Sequence, residues 1–222
     1  IMAEKQYEEF KARFEAEQTD RLGLMVSHAF EEDPKRVGFT FARYGFVAQM
    51  FSGFSSVLEV GCGDGQISRV VRQAVGSLTA VDFDDQFVAD AQEKMNPKWP
   101  ITYSQHDILT DPVNGIFDGA YSLDVLEHID KLNEGLFVRN IAKSLTDDGS
   151  LIIGMPSLES QVYASPVSKA GHINCKTQDD LTSFLKGYFH NVFPFGMNDS
   201  TLHTGYGGMC HYLLALCVRP KR

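Results

Sequence analysis

Val57-Leu58-Glu59-Val60-Gly61-Cys62-Gly63-Asp64-Gly65 carries a short apolar run straight into three glycines at alternate positions. Without a Cβ, glycine lets a chain leave a strand sharply and approach a ligand with its backbone. The next residues set a rhythm: Ile67 to Val75 reads as a helix and Leu78-Thr79-Ala80-Val81 as a second apolar strand. Strand, helix and strand at that spacing make a βαβ unit with parallel strands and a right-handed crossover.

The alternation continues downstream. A helix is predicted near 86–95, strands near 101–104 and 119–123, a helix near 131–145 and a strand over 151–154. That pattern predicts a doubly wound, Rossmann-like α/β sheet. The stretch 155–174 is longer than an ordinary connection and reads as an irregular loop facing the substrate. After it come a helix (177–188), a strand (191–195), a loop (198–208) and a strand (209–218), the two strands near enough in sequence to pair antiparallel.

Upstream, Tyr7, Phe10 and Phe14 mark one face of an amphipathic helix over 3–17, and a second helix is predicted over 40–51 beyond the polar joint Asp33-Pro34. The expectation is one domain: an N-terminal helical cap (1–51), a cofactor-binding core (55–154), and an acceptor-facing loop with C-terminal strands (155–222).

Composition narrows the function. The 222 residues are 43% hydrophobic and 22% charged, as in an ordinary globular chain. A formal net charge of −9 leaves no broad basic field for phosphate backbones, so no nucleic-acid partner is expected. Cys62, Cys175, Cys210 and Cys217 form no CxxC pair and read as reduced thiols. The opening residues are polar, unlike a signal segment, and no run is long enough to span a bilayer, so a cytoplasmic monomer or homodimer is expected.

Three carboxylates align with the glycines. Glu59 ends the first strand, where it suits an ammonium group better than a pyrophosphate. Asp82 ends the second strand, 21 positions beyond Gly61, where a carboxylate can accept both hydroxyls of a ribose. Asp107 follows the third and can accept an adenine amino group, with Phe83 and Ile108 as apolar contacts for the ring.

These stretches resemble the class I S-adenosylmethionine-dependent methyltransferases, in particular the small-molecule, UbiE/UbiG-like branch. The resemblance runs over roughly 55–154 and rests on the glycine motif, on Ala80-Val81-Asp82-Phe83-Asp84, on His106-Asp107-Ile108 and on Tyr121-Ser122-Leu123-Asp124-Val125-Leu126-Glu127-His128-Ile129. It implies a seven-stranded sheet with an antiparallel last strand, and S-adenosylmethionine as cofactor, leaving as S-adenosylhomocysteine. It also implies that Gly61, Cys62, Gly63 and Gly65 form the binding loop, that Glu59 and the Ser122-Leu123 backbone lie near the methionine end, and that Asp82 holds the ribose. The segment around Arg43 is similar to a helix that covers the cofactor, with Arg43 as partner for its carboxylate.

Positioning is the main catalytic task, because a methyl group on a positive sulfur needs an acceptor held in line and water excluded. A hydroxyl acceptor also needs a base, for which His172 leads, followed by His203 and His128; His211, inside an apolar run, reads as a core residue. Cys62 is not required as a nucleophile. The histidines, cysteines and carboxylates are too scattered for a metal site, and none is expected. Residues 160–215, notably Ser168-Lys169-Ala170-Gly171-His172-Ile173-Asn174 and Met197-Asn198-Asp199-Ser200-Thr201-Leu202-His203-Thr204-Gly205-Tyr206, resemble methyltransferases of bacterial surface-sugar and secondary metabolism, and methylation of a small-molecule or sugar-type acceptor at oxygen is expected. Two rivals remain: an NAD-dependent oxidoreductase, against which the GxGxG spacing and Glu59 speak, and a non-catalytic cofactor-binding protein that acts through a partner.

Overall fold

A computed structural model describes residues 5–16 and 20–222. The expected first helix is present as α1 (Lys5–Ala16), while its residues 3, 4 and 17, and residues 1–4 of the polar opening, lie outside the described residues. Eight strands form one sheet in the order β3-β2-β1-β4-β5-β8-β6-β7. They are β1 (Ser56–Val60), β2 (Ser77–Asp82), β3 (Thr102–Gln105), β4 (Phe117–Leu123), β5 (Leu145–Pro156), β6 (Phe189–Asn198), β7 (Thr201–His203) and β8 (Tyr212–Pro220). The first five are parallel; β8 runs antiparallel to both β5 and β6.

The strand residues alternate between two cores. Leu58, Val60, Leu151 and Ile153 point to a face covered by α6 (Glu134–Lys143) and α8 (Gln178–Leu185). Val57, Ala80, Tyr121 and Ile152 point to the opposite face, covered by α3 (Pro34–Met50), α4 (Ser68–Arg72) and α5 (Asp85–Glu93). Burial on both faces explains why the strands read as continuous apolar runs.

The structure departs from the sequence-based expectation in five places. The sheet has eight strands rather than seven, because the expected loop over 198–208 contains β7, hairpinned onto β6. A helix α2 (Leu24–Glu32) is present that the sequence does not announce, and α3 begins at Pro34 rather than near 40. Proline suits the first helical turn, and the Asp33 side chain accepts a hydrogen bond from the Lys35 amide, so the polar joint is a helix start. The stretch 155–174 is ordered into a 3-10 turn (Glu159–Tyr163) and a short helix α7 (Pro166–Gly171) capped by Ser165. His211 is an exposed residue just before β8, not a core histidine.

The cap is fastened to the core through its exposed helix end. Gly23 gives α2 no side-chain cap, and two core carboxylates supply one instead: Asp64 accepts from the Val26 amide at 2.9 Å and Asp90 from the Leu24 amide at 3.0 Å.

Candidate active site

The strand order reverses between β1 and β4, and the ends of β1, β2 and β4 converge there, which is where doubly wound sheets bind ligands. A cleft of about 500 Å³ opens at that point, within the usual range for small-molecule sites. Its floor is the glycine loop. Gly61, Gly63 and Gly65 have φ of 83°, 52° and 64°, left-handed values that strain any side chain. A Cβ on Gly61 would strike Val125, on Gly63 the sulfur of Met25, and on Gly65 the ring of Tyr103.

Asp82 stands beside this loop. Its Oδ2 accepts from the Gly63 amide at 2.8 Å and its Oδ1 from the Asp84 amide at 3.1 Å, and both oxygens keep lone-pair capacity toward the cleft they line. Phe83, 72% exposed, lies on the same wall. Cys62 also lines the cleft, but burial, with Glu59 and Asp82 nearby, pushes its thiol far up, so it supplies no thiolate.

Other expected cofactor residues sit differently. Glu59 belongs to the α3 side of β1 and lies beneath Tyr44, whose hydroxyl donates to Glu59 Oε1 at 2.8 Å. Ser68 and Tyr121 approach the same carboxylate without closing well-formed hydrogen bonds, and Glu59 Oε2 is buried without a partner. Burial lifts Glu59 to about 7 against the pull of these hydroxyls. The Ser122 hydroxyl turns into the sheet, donating to the Val60 carbonyl, while Leu123 reaches the cleft. Asp107 is exposed and caps its own turn through the Leu109 amide, and Ile108 packs in the core on the α6 side.

Arg43 is not a solvated surface residue. Its Nη1 contacts both oxygens of Asp124 at 2.9 and 2.8 Å, and its guanidinium stacks 3.8 Å from the centroid of Tyr212. Asp124 carries no signal of its own in the sequence. It holds a left-handed φ of 58°, a strained setting of the kind that gathers at functional sites.

At the far end of the cleft, Glu127, His128 and His172 meet, each offering a ligand atom within 4.8 Å of the others. The two rings pack edge to face, 5.2 Å between centroids. Burial, and after it the neighbouring His128, hold His172 below its ordinary value. Burial and Asp124 push the Glu127 carboxyl well up. A second hollow of about 450 Å³ shares Pro156, Ser168 and His172 with the cleft. His203 is elsewhere: its Nδ1 accepts from the Gly205 amide and its Nε2 faces Asn198 Oδ1, so both nitrogens are committed.

Among the described residues, no helix is long and apolar enough to cross a membrane. The methyltransferase-domain family matches residues 58–153. An uncharacterised methyltransferase of Mycobacterium tuberculosis is 31% identical over 171 residues, covering 75% of this chain and 82% of that protein. A ubiquinone biosynthesis O-methyltransferase of Rickettsia akari is 27% identical, covering 59% of this chain and 53% of that protein. The N-methyltransferase NodS of Bradyrhizobium japonicum, solved with S-adenosylhomocysteine, superposes with a TM-score of 0.63 at 18% identity, covering 86% of this chain and 91% of that one. A cleft lined by Gly61, Gly63 and the Asp82 carboxylate fits S-adenosylmethionine as the cofactor. The chain belongs to the class I S-adenosylmethionine-dependent methyltransferases.

Proposed function

We propose that the chain methylates an oxygen of a small-molecule, sugar-type acceptor, seated where the cofactor cleft meets the outer hollow. The observation that carries this reading is the place of His172, on the wall of both. Its Nδ1 is turned to Gln161 Oε1 at 2.9 Å and its ring is held neutral, which leaves the Nε2 lone pair for acceptor chemistry. A hydroxyl needs such help because its proton must leave, whereas a neutral amine attacks through its own lone pair. Oxygen is also the acceptor atom in the name of the Rickettsia relative, against nitrogen in that of NodS.

Bound S-adenosylmethionine supplies a methyl group on a positive sulfur. The chain's residues divide the remaining work between them. Asp82 takes the ribose hydroxyls, the glycine backbone and the Ser122-Leu123 main chain flank the methionine end, and Phe83 covers the base. Arg43, held flat by Tyr212 and Asp124, presents its guanidinium to the cofactor carboxylate. The helices α2 and α3 shut out water, and the corner of Glu127, His128 and His172 is where the acceptor loses its proton. The unit works as a monomer or homodimer, with its four free thiols in a reducing compartment such as the cytoplasm.

Calorimetric titration with S-adenosylmethionine, S-adenosylhomocysteine and NAD, on the protein and on Asp82→Ala, tests the cofactor side. Loss of two charge-assisted hydrogen bonds at about 1.5 kcal/mol or more each predicts roughly a hundredfold weaker binding in the variant. Methyl transfer to hydroxyl-bearing sugars, with transfer to the matching amino sugars as control, tests the acceptor side. Binding of NAD alone, or transfer only to amines, would overturn the proposal.

A further inference from the structure

We infer that Glu127, His128 and His172 form a site for a divalent first-row metal ion, and that the ion activates an acceptor bearing two adjacent oxygens. The catalytic part of this inference rests on the oxygen-methylation reading above; the metal site stands on its own geometry. Bonds of about 2.1 Å to a shared ion put neighbouring ligand atoms about 3–4 Å apart. The three ligand atoms already lie within 4.8 Å of one another, so small side-chain rotations complete the site.

The surroundings are built as for metal ligands. His128 Nδ1 is 2.9 Å from the Gly171 carbonyl, and His172 Nδ1 is 2.9 Å from Gln161 Oε1. Both acceptors require a protonated Nδ1, so each ring keeps its Nε2 lone pair free, the arrangement that outer partners impose on metal-bound imidazoles. Glu127 is 1% exposed, and its Oε2 is buried without a hydrogen-bond partner among the described residues. A metal ion bound between the two imidazoles would satisfy that oxygen. The main chain is braced as well, the Asn174 amide donating to the Glu127 carbonyl at 3.0 Å.

Two imidazoles and one carboxylate favour manganese, iron, cobalt or zinc over the all-oxygen cations. Three protein ligands leave positions open toward the cleft, and an acceptor with adjacent oxygens, such as a vicinal diol, fills two of them. On coordination one hydroxyl gives its proton to solvent water. Its oxygen then forms the bond to the methyl carbon as the methyl–sulfur bond breaks, and the electron pair of that bond stays on sulfur. His172 thereby serves as a ligand, and no separate base is needed.

The test is binding of Mn²⁺, followed by loss of the free-ion paramagnetic resonance signal, and of Co²⁺, followed by visible absorption. The wild type, His128→Ala, His172→Ala, Glu127→Gln and the exposed control His190→Ala are compared, each with S-adenosylhomocysteine affinity measured in parallel. Stoichiometric binding by the wild type and control, weakened tenfold or more in the three site variants with S-adenosylhomocysteine affinity unchanged, is the expected result. No uptake of either ion by a protein that binds S-adenosylhomocysteine, or equal uptake in all five proteins, overturns the site. Metal uptake without S-adenosylhomocysteine binding upholds the site and overturns the functional reading instead.

Discussion

Replacing Glu59 with glutamine isolates one buried charge. In the fold this carboxyl titrates at about 7 rather than 4.5, chiefly because it is fully buried. A carboxyl raised by folding favours the native state while protonated. Its contribution is therefore fully present below about 4.5 and is lost as pH rises through about 7. The whole displacement corresponds to about 3 kcal/mol, of which about 2 kcal/mol falls between roughly pH 5.5 and 8.5. Glutamine keeps the shape and cannot ionise, and the hydroxyls of Tyr44, Tyr121 and Ser68 can rotate to accept from its amide.

Glu59→Gln is thus expected to gain on the wild type as pH rises, by about 2 kcal/mol over that window. For a chain of this size that widens the gap between their midpoints by about 4–8 °C. Thermal or urea unfolding of both proteins at the two pH values measures it. Because Glu59 lies beneath Tyr44 and off the cleft wall, S-adenosylhomocysteine affinity should change by only a few fold. A gap that is constant with pH, or that moves in the wild type's favour at high pH, would refute the burial argument. A hundredfold loss of affinity would show that Glu59 reaches the ligand after all.

Gly61→Ala forces a Cβ into Val125 at a left-handed φ, and should cost about 3 kcal/mol by denaturant unfolding while abolishing S-adenosylhomocysteine binding; a normal midpoint would remove the case for a strained loop. Asp124→Asn tolerates the backbone but leaves Arg43 without its counter-charge, so stability should fall by about 2 kcal/mol, with Arg43→Met giving a similar loss and the pair less than their sum. Strict additivity in that cycle would mean the ion pair is idle. Lys176→Met strands the buried Glu134 carboxylate, costing about 3 kcal/mol, most of it recovered in Lys176→Met/Glu134→Leu; a double variant no better than the single would contradict this.

The meeting of the glycine loop and Asp82 on one cleft was legible because each signal is local. The glycine loop and Asp82 each sit at a strand end, so strand periodicity alone puts them side by side. What escaped depended on contacts across the chain. Asp64 and Asp90 cap α2 from 38 and 66 positions away, so nothing local announced that helix. Position along the chain puts Glu59 at the strand end, but the alternation of β1 turns it under Tyr44 rather than onto the cleft wall. Ile108 likewise falls on the α6 face, where it packs with Leu126 and Phe137. Asp124 stood within the Tyr121 to Ile129 motif, but its left-handed φ has no sequence signature. The meeting of His172 with His128 has no signal in linear spacing, because it depends on a loop folded back onto the end of β4.

That fold-back has an identifiable cause. Asn174 donates its amide to the Glu127 carbonyl and its side chain to Glu134 on α6, and Lys176 closes the set with bonds to Glu134 at 2.7 Å and Asn174 at 3.2 Å. All three side chains are buried, so the tie is expensive to break and holds the chain just beyond His172 against α6. Gly171, on the other side of His172, accepts from His128. The histidine is thus fixed from both flanks. Loosening that tie should move His172 before it unfolds the protein. Lys176→Met is therefore expected to lower metal uptake and turnover under conditions where it is still fully folded, with S-adenosylhomocysteine affinity intact. If uptake and turnover instead decline only in step with unfolding, the tie supports the fold alone and His172 is positioned by α7 without it.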